Sequence, residues 1–552
     1  MVYRTGVLAL LLTSIAAQGA DRSNARSMVI SQGGVVATSH TLASQAGAQI
    51  LAKGGSAADA AIAANAVLGV VEPMMCGIGG DVFVLYWEAK TGKLYGLNGS
   101  GWSPQKLTQK FLAAKGITKE MPATGIHSTT VPGAVRGWQA VHKRFGKLPW
   151  QDLFQASIHY SDKGFPVTEI IAEAWPGGAV QKFEPSKRVF LPGGKAPGVG
   201  ELFRNPGLAH AMRLIADKGA DEFYTGEIAS AILATSERLG GAYAAADLAE
   251  WQPEWVEPIR TTYRGWTVSE LPPNGQGIAA LVMLNLMEQS KTAQGGSNGV
   301  AETHKKIEAM KLAYADLYAY VADPAFADVP VAGMLDKGYA KQRAALIDPN
   351  KANCGVEAGR PAHSDTTYLA AVDKDGNIAS WIQSVSGSWG SGVLVDGMGF
   401  HLQNRGGGFN LDPNHPSRLE PRKRPFHTII PGMLEKGDIH IGFGIMSGPN
   451  QPQAHAQYVS NVVDHGMNIQ EAMEAPRFRV TSVPGCDVSI ESRHADDVLS
   501  ALEKMGHKLT RVGDHSTVMG RGNAVMRDAK AGVNYGASDS RADGFAIPEP
   551  LQ

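Results

Sequence analysis

The chain has 552 residues, enough for one large core or for two or three domains. Hydrophobic residues make up 43% and charged residues 19%, which is the composition of an ordinary globular protein. The net charge of −1 and the pI near 7.0 argue against a broad phosphate-binding surface, so a nucleic-acid partner is not expected.

The N-terminus has the pattern of a secretory signal peptide. Arg4 precedes a short apolar stretch over residues 6–12, and small residues follow over 15–20. The apolar stretch is too short to span a bilayer comfortably, although a membrane anchor or a mis-set start is the alternative interpretation. We expect residues 1–25 to be a cleaved signal, the protein to be periplasmic or secreted, and no membrane span to remain.

The residues before 100 alternate between apolar strands and apolar helices. Strands are predicted over 33–37 and over 81–97, where a Thr91-Gly92 turn divides the second run. Helices are predicted over 41–53 and 57–70, and the second is nearly all Ala, Val and Leu, which is typical of a buried helix. The following region, 130–350, has a mainly helical pattern with Gly and Pro punctuation.

From residue 366 the chain is rich in strand patterns again. The runs 368–372 and 378–382 flank an Asp/Gly turn and predict a hairpin. The early strands lack nearby partners, so we expect them to join the sheet that forms after 366, in a layered α/β sandwich. Further strands are predicted over 429–430, 439–443 and 487–490, and helices over 450–463 and 496–505.

The cysteine and histidine patterns predict neither a metal nor a cofactor. Cys76, Cys354 and Cys486 are widely spaced, and no Cys-x-x-Cys occurs. One disulfide and three buried free thiols are both compatible with this spacing. No P-loop is present, and His363, His401, His427 and His455 lack the spacing of metal ligands.

The run Asp365-Thr366-Thr367 opens the predicted hairpin and has two interpretations. A threonine at the start of a strand is commonly structural. A threonine hydroxyl becomes a useful nucleophile when the chain is cut just before it, because the freed α-amine has a pKa of about 8 and can accept the hydroxyl proton. The hydroxyl can make that cut itself by attacking the preceding carbonyl.

Two loops could complete such a site. The Ser/Gly-rich run 384–392 follows the second strand of the hairpin and would return Ser384 and Ser386 close to Thr366. Turn formation is the plainer role for these residues. The run 446–449 lies between a predicted strand and a predicted helix, where backbone N–H groups can hold an oxyanion.

Many motifs, in the same order, resemble the γ-glutamyltransferases (glutathione hydrolases), a family of N-terminal-nucleophile hydrolases. The resemblance covers nearly all of the chain after the signal. The matching runs are 33–40, 53–61, 71–73, 77–80, 131–133, 263–265, 272–273, 365–377, 389–392 and 538–544.

The resemblance implies a fold and a maturation step. The fold would be the αββα sandwich of that superfamily. Autocleavage between Asp365 and Thr366 would give a large subunit, 26–365, and a small subunit, 366–552. The two would form a heterodimer that shares one intertwined sandwich domain.

The resemblance also implies the catalytic residues. Thr366 matches the family's nucleophile, with its α-amine as the base. Ser384 matches a hydroxyl residue that bonds near that amine, and Ser447 and Gly448 match the backbone donors of the oxyanion hole. No metal or cofactor is implied.

The substrate pocket departs from the family pattern. Ser100 stands where the family has an Arg for the α-carboxylate, and Gly408 stands where it has an acid for the α-amine. Ser386 replaces a usual Asn, and His427-Thr428 replaces a usual Ser-Ser pair. The chain therefore lacks both the Arg and the acid that would bind the α-carboxylate and the α-amine of a free amino-acid end.

Arg405 can compensate for part of this loss. Its guanidinium can fork onto a carboxylate, although a surface or structural role is the alternative. The runs 402–406 and 423–428 resemble a branch of cephalosporin acylases and oxamate amidohydrolases. The expected substrate-binding residues are Arg405, Ser386, Asn404, His427, Thr428 and Ser100.

These observations leave three functional hypotheses. The first is an autoprocessed amidohydrolase or acyltransferase that cleaves small γ-glutamyl amides or peptides such as glutathione and passes the acyl group to water or an amine. The second is a glutaryl or cephalosporin-type acylase, or an oxamate-like amidohydrolase. The third is an unprocessed exported binding protein with the same fold and no activity.

Overall fold

The computed structural model describes residues 24–293, 295–356 and 365–551, so all but the end of the predicted signal lies outside the described residues. The strands are β1 (Val29–Ser31), β2 (Val35–Thr38), β3 (Asp81–Glu88), β4 (Lys93–Gly99), β5 (Phe165–Pro166), β6 (Leu202–Phe203), β7 (Glu254–Val256), β8 (Ile259–Tyr263), β9 (Trp266–Glu270), β10 (Asp365–Val372), β11 (Ile378–Ser386), β12 (Gly432–Lys436), β13 (Ile439–Ile445), β14 (Phe478–Val480), β15 (Asp487–Glu491), β16 (Lys508–Val512), β17 (Gly522–Asp528), β18 (Val533–Ser538) and β19 (Ala546–Pro548). The helices are α1 (Thr41–Ala52), α2 (Ala57–Val71), α3 (Gln109–Ala113), α4 (Ala134–Phe145), α5 (Gln155–Lys163), α6 (Glu169–Ala174), α7 (Glu184–Phe190), α8 (Pro206–Lys218), α9 (Asp221–Thr225), α10 (Glu227–Arg238), α11 (Ala245–Ala249), α12 (Gly277–Glu288), α13 (Val300–Tyr320), α14 (Val331–Leu335), α15 (Lys337–Ala344), α16 (Gln451–Val463), α17 (Ile469–Glu474) and α18 (Asp496–Lys504).

Two large antiparallel sheets form the centre of the molecule. One has the strand order β1-β18-β17-β13-β12-β9-β8, and the other has the order β19-β2-β10-β11-β3-β4-β7. Side chains at alternate positions of β10 separate into two cores, as the period of a strand requires. Tyr368 and Ala370 lie between the sheets with Met433 and Val525 of the facing sheet, whereas Leu369 packs toward α1 and α2.

Helices cover the outer face of each sheet. The helices α1, α2, α4, α5 and α8 pack on the sheet that contains β10. The helices α12, α13 and α16 pack on the other sheet. The four layers confirm the αββα sandwich, and the described residues contain no helix long and apolar enough to cross a bilayer.

The predicted hairpin and its early partners are confirmed. β10 pairs with β11 and with β2, and β11 pairs with β3. Both large sheets therefore combine strands from before and after residue 365. Helix α2 is buried along its whole length, and Ser56 and Asp59 close its first turn as a capping box.

One prediction about strands is wrong. Ile429-Ile430 is not a strand, because the Ile430 N–H donates to Gln451 Oε1 (3.0 Å) instead of to a neighbouring strand. The prediction that 130–350 is mainly helical is confirmed, and the region also supplies the strands β7, β8 and β9, of which β7 and β8 lie at sheet edges. These strands are short and partly exposed, which gives them a weak apolar signal.

Of the two alternatives left open for the three cysteines, the structure contains the one with a disulfide. Cys354 and Cys486 form a disulfide across 132 residues of sequence. Cys76 is a buried free thiol, and burial raises its pKa far above the ordinary value.

A buried charge cluster fixes the C-terminal segment after β18. The Arg541 guanidinium donates to Glu491 Oε2 (2.6 Å) and to Asp539 Oδ1 (2.9 Å). Arg477 lies 2.7 Å from the other Asp539 oxygen. Burial alone would raise the pKa of both carboxyl groups, but the guanidinium groups hold each pKa below its ordinary value.

We expect Arg541→Met to destabilise the fold at neutral pH, because it leaves two buried carboxylates undercompensated. The loss should be on the order of 3–5 kcal/mol. Both carboxyl groups have lowered pKa values in the folded state, so their stabilisation is complete at neutral pH and is lost as the pH falls through those values. In urea unfolding, the free energy of unfolding of wild type should therefore exceed that of the variant at neutral pH, and this difference should become smaller below about pH 4.

The matched control for this prediction is Arg511→Met. Arg511 pairs with Asp496 on the surface, and removal of such a pair should change stability by less than about 1 kcal/mol. Equal unfolding midpoints for Arg541→Met and Arg511→Met at neutral pH would contradict the role of the buried cluster.

Candidate active site

Thr366 lies at an irregularity in the central hairpin. Asp365 is opposite Ser386 and Thr367 is opposite Gln383, so two residues of β11 face the single residue Thr366. Such a bulge disrupts the ladder and turns a side chain toward a site. Here it brings the Ser384 hydroxyl to the Thr366 hydroxyl, with 3.3 Å between the oxygens.

The Thr366 hydroxyl is buried and has two side-chain partners. It donates to Ser384 Oγ and accepts from Gln451 Nε2, each at 3.3 Å. Ser384 Oγ also accepts from the Ser386 N–H (2.7 Å), which fixes the serine rotamer. Gln451 is held in turn by the Ile430 N–H. The hydroxyl is therefore oriented from both sides.

Ser447 and Gly448 lie in the turn between β13 and α16. Their φ angles are 104° and 50°, in the left-handed region that non-glycine residues avoid. Strained backbone of this kind persists where surrounding structure holds it, often at functional sites. Among the described residues, no acceptor meets the N–H of Ser447 or of Gly448. Gln451 begins the next helix, so these two N–H groups lie beside the residue that reaches Thr366.

A hydrogen-bonded chain brings Ser100 and His427 together. Asn274 Nδ2 donates to Ser100 Oγ (3.1 Å), and the Asn274 carbonyl accepts from the His427 N–H (2.9 Å). His427 Nε2 lies 3.1 Å from Asp81 Oδ2, and its Nδ1 accepts from Ile429. Burial, and then Arg405, lower the pKa of His427 well below its ordinary value, so the ring is neutral.

Asp81 and Arg405 are the buried charges of this region. Burial raises the pKa of Asp81 to about 7, although Arg405 and three N–H donors oppose the shift. Burial lowers the pKa of Arg405 to about 10, and Asp81 opposes that shift, so the guanidinium stays charged at neutral pH. Arg405 is only 3% exposed, which rules out the surface role considered from the sequence.

Arg405 is connected to the Ser447-Gly448 turn. Its Nη1 donates to Thr428 Oγ1 (2.5 Å), and Gln276 Nε2 donates to the carbonyls of Thr428 (2.5 Å) and Gly448 (2.8 Å). Arg405 Nε and Nη2 have no acceptor among the described residues. A buried guanidinium with two unpaired donors can hold a carboxylate.

The other predicted pocket residues have structural contacts. Asn404 Oδ1 accepts from the Gly387 N–H (2.7 Å), and Asn404 Nδ2 donates to the Ala123 carbonyl (2.8 Å). Ser386 forms the end of the hairpin at a φ of 81°. At Gly408, an added Cβ would lie 3.1 Å from the Phe426 carbonyl oxygen. The structure thus groups Ser100, His427, Arg405 and Thr428, whereas Asn404 supports the neighbouring loop.

One separate group has the donor types of a metal site. Ligand atoms of His304, Glu308 and His507 lie within 4.8 Å of one another. The two rings already share a hydrogen bond (2.7 Å), and the Lys311 ammonium lies 2.7 Å from Glu308 Oε1. These contacts favour a structural cluster, because a bound cation would compete with Lys311 for the same carboxylate.

Sequence reasoning missed Asp81, Gln276 and Gln451. The sequence could have indicated Asp81, because it begins an otherwise apolar strand. A carboxyl group buried there is costly unless it has polar partners. Gln451 and Gln276 each begin or precede a helix, where a polar residue is ordinary, so the sequence around them gives no comparable signal.

Comparisons with known proteins identify relatives that match nearly the whole chain. The family model described as gamma-glutamyltranspeptidase matches residues 43–549. The "Glutathione hydrolase-like YwrD proenzyme" of Bacillus subtilis is 38% identical over 93% of this chain and 98% of its own. The "Acylase ACY 1 proenzyme" of a Pseudomonas species is 34% identical over 93% of each chain. A crystal structure of cephalosporin acylase from Bacillus halodurans superposes with a TM-score of 0.89 at 42% identity, covering 97% of this chain and 99% of that one.

Proposed function

The chain belongs to the γ-glutamyltranspeptidase family of enzymes, and on that premise we propose that it is a self-cleaving amidohydrolase whose nucleophile is Thr366. One observation carries the proposal. A buried threonine hydroxyl, oriented by Ser384 and Gln451, lies beside a turn with two unpaired backbone N–H groups. A nucleophile next to an oxyanion site is what amide hydrolysis requires.

The first step cuts the chain. Thr366 Oγ1 attacks the Asp365 carbonyl carbon, the C–N bond between the two residues breaks, and the Thr366 nitrogen takes a proton. Water then hydrolyses the resulting ester. The products are a fragment that ends at Asp365 and a fragment, 366–552, that begins with a free α-amine. We propose that the two remain together as a heterodimer, because both sheets contain strands from each fragment.

The second step is acyl transfer. The α-amine accepts the Thr366 hydroxyl proton while Oγ1 attacks the substrate carbonyl. The N–H groups of Ser447 and Gly448 stabilise the oxyanion, and the amine leaves with the proton. Water or a second amine then takes the acyl group from Thr366. The residues named here need no cofactor for this sequence.

We propose an acyl group that ends in a carboxylate and carries no recognised α-amine. Arg405 supports the carboxylate, since its Nε and Nη2 are buried and unpaired among the described residues while its Nη1 donates to Thr428. Ser100 and Gly408 supply no charge where a free amino-acid end would need an Arg and an acid. A glutaryl-type amide fits this pocket better than a γ-glutamyl amide, and oxamate is the smaller candidate. Arg405 is almost fully buried in the uncut chain, so substrate entry would follow cleavage.

A panel of matched amides tests this specificity. Glutaryl, γ-glutamyl and pentanoyl p-nitroanilides share one leaving group and differ in the acyl end. We expect kcat/KM to be highest for the glutaryl amide, because it alone has the carboxylate without the amine. Oxamate is assayed by release of ammonia. A γ-glutamyl amide cleaved faster than the glutaryl amide would overturn the proposed acyl group, and no turnover of any amide by the cut enzyme would overturn the activity.

Gln451→Leu should lower kcat about tenfold in the cleaved enzyme. The substitution removes the donor to Thr366 Oγ1, and one hydrogen bond to a reacting group is worth roughly 1–1.5 kcal/mol. Steady-state kinetics on the best amide of the panel measure the effect.

Gln457→Leu is the control for Gln451→Leu. Gln457 lies on the same helix and bonds the Phe478 backbone rather than Thr366. An equal fall in kcat in both variants would assign the effect to the helix and not to the contact with the nucleophile.

A further inference from the structure

A cleft of about 560 Å³ opens beside the Ser447-Gly448 turn. Ser447 lines it together with Gly387 and Ser388 of the loop that follows the hairpin. Two arginines, Arg479 and Arg521, also line it. The lining residues include two guanidinium groups and one carboxylate, that of the exposed Glu173. The cleft therefore carries a net positive charge.

Arg521 is fixed against the oxyanion turn. Its carbonyl accepts from the Met446 N–H (3.0 Å), directly before Ser447. The side chain is 4% exposed, its Nη2 lies 3.5 Å from Met75 Sδ, and its Nη1 has no acceptor in the described part of the chain. Glu72 is buried nearby, and Arg521 opposes the rise in pKa that burial gives this carboxyl group. No described carboxylate comes within 4.0 Å of the Arg521 guanidinium.

Arg479 faces the same cleft from β14. It is half-buried, and its Nε has no acceptor among the described residues. Burial lowers its pKa, but arginine stays protonated in proteins at neutral pH. Two guanidinium groups that line one cleft are suited to an anion, because the fork of arginine N–H groups matches a carboxylate.

The position of the cleft indicates which part of a substrate it receives. The proposed acyl site is connected to the turn through the Gly448 carbonyl, because Gln276 Nε2 donates to the carbonyls of Gly448 and Thr428, and the Thr428 hydroxyl accepts from Arg405. The cleft is lined by Ser447 and Pro449 of the same turn and opens outward. An amide bond placed at the turn would direct its acyl end toward Arg405 and its amine end into the cleft.

We propose that Arg521 and Arg479 bind a carboxylate on the leaving amine, so that the enzyme prefers amides of amino acids, peptides or other amines that carry an acid. This inference rests on the proposed acyl-transfer site. It also predicts that the same cleft binds acid-bearing amines as acyl acceptors.

The test compares two leaving amines that differ only in charge. These are 5-amino-2-nitrobenzoate and its neutral carboxamide, each measured free and as its glutaryl anilide. Calorimetry on the cleaved enzyme should show the benzoate binding about 10- to 100-fold more tightly than the carboxamide, and kcat/KM should show the same preference. Arg521→Gln and Arg479→Gln should each reduce the preference at least several-fold.

Arg511→Gln is the matched control, because Arg511 pairs with Asp496 on the surface and does not line the cleft. Equal binding of the two amines by wild type, or a preference unchanged in both cleft variants, would overturn the subsite. Selective binding of the benzoate without turnover of either anilide would support the subsite and would instead count against the proposed catalysis.

A separate observation concerns the disulfide. Cys354 precedes the proposed cut at Asp365-Thr366, and Cys486 follows it. We infer that the disulfide joins the two fragments covalently once the chain is cut. Cys354 is exposed whereas Cys486 is buried, so an external dithiol can reach the bond from the side of the large fragment.

Electrophoresis under two conditions tests the covalent link. The cleaved protein should run as one band of full mass without reductant and as two bands with it, and Cys486→Ser should give two bands in both cases. Two bands for wild type without reductant would overturn the link while leaving the cleavage intact. One band with reductant would overturn the cleavage itself, and the link between fragments with it.

Discussion

Thr366→Ala is expected to leave the chain as a single uncut polypeptide with no amidase activity. The variant removes the hydroxyl that we propose attacks the Asp365 carbonyl, and without the cut no α-amine is released to act as base. When catalytic residues act together, loss of the nucleophile lowers kcat by about 10³-fold or more. A denaturing gel under reducing conditions should show the 187-residue fragment 366–552 for wild type and not for the variant.

Two further variants test whether the hydroxyl at position 366 itself is required for the cut. Thr366→Ser keeps a hydroxyl at the same position and should still be cut. Thr367→Val changes the neighbouring residue, whose hydroxyl donates to the Gln383 carbonyl (3.4 Å) and not to the partners of Thr366, and it should also be cut. N-terminal sequencing of the small fragment should begin at Thr366. A Thr366→Ala chain cut at this bond would show that another group performs the cleavage.

The sequence predicted most of the hairpin and its surroundings because burial on both faces leaves a strong signal. β10 carries Tyr368, Leu369, Ala370 and Ala371 in succession, and each packs in a core on one face or the other. A strand this apolar needs cover on both sides, which already implies a layered sandwich. The helix α2 is apolar on all sides for the same reason.

The finer geometry of the site was not predictable from pattern. The bulge that sets Ser384 opposite Thr366 depends on one additional residue in β11, and the alternation of residues there does not mark it. The disulfide partner of Cys486 depends on how distant segments meet, so spacing alone left the pairing open. The false strand at Ile429-Ile430 arose because β-branched residues also occur in buried loops whose N–H groups bond to side chains.

Two roles are proposed for Arg405, and kinetics on amides with and without a terminal carboxylate on the acyl group separate them. It compensates Asp81 in the fold, since each opposes the pKa shift that burial gives the other. It also has unpaired donors for a substrate carboxylate. Only the second role distinguishes acyl groups that do and do not end in a carboxylate.

We therefore expect Arg405→Leu to lower kcat/KM for the glutaryl anilide by about 10- to 100-fold more than for the pentanoyl anilide, because only the first loses a charge-assisted bond. Loss of Arg405 also removes the cation that lowers the pKa of Asp81, so Asp81 should take up a proton in the variant. The double variant Asp81→Asn with Arg405→Leu has no carboxyl group to protonate at this position, and it replaces the single variant if that one folds poorly.

Arg418→Leu is the control, because Arg418 forms a half-buried pair with Glu420 in the same part of the chain and has no hydrogen bond or ion pair with Asp81 or Thr428 among the described residues. It should leave the ratio of the two kcat/KM values at the wild-type level. Arg405→Lys keeps the charge but loses the fork, so it should recover part of the preference for the glutaryl amide. If Arg405→Leu lowers both values by the same factor, Arg405 acts only through Asp81 and the fold, and the carboxylate of the substrate must be bound elsewhere.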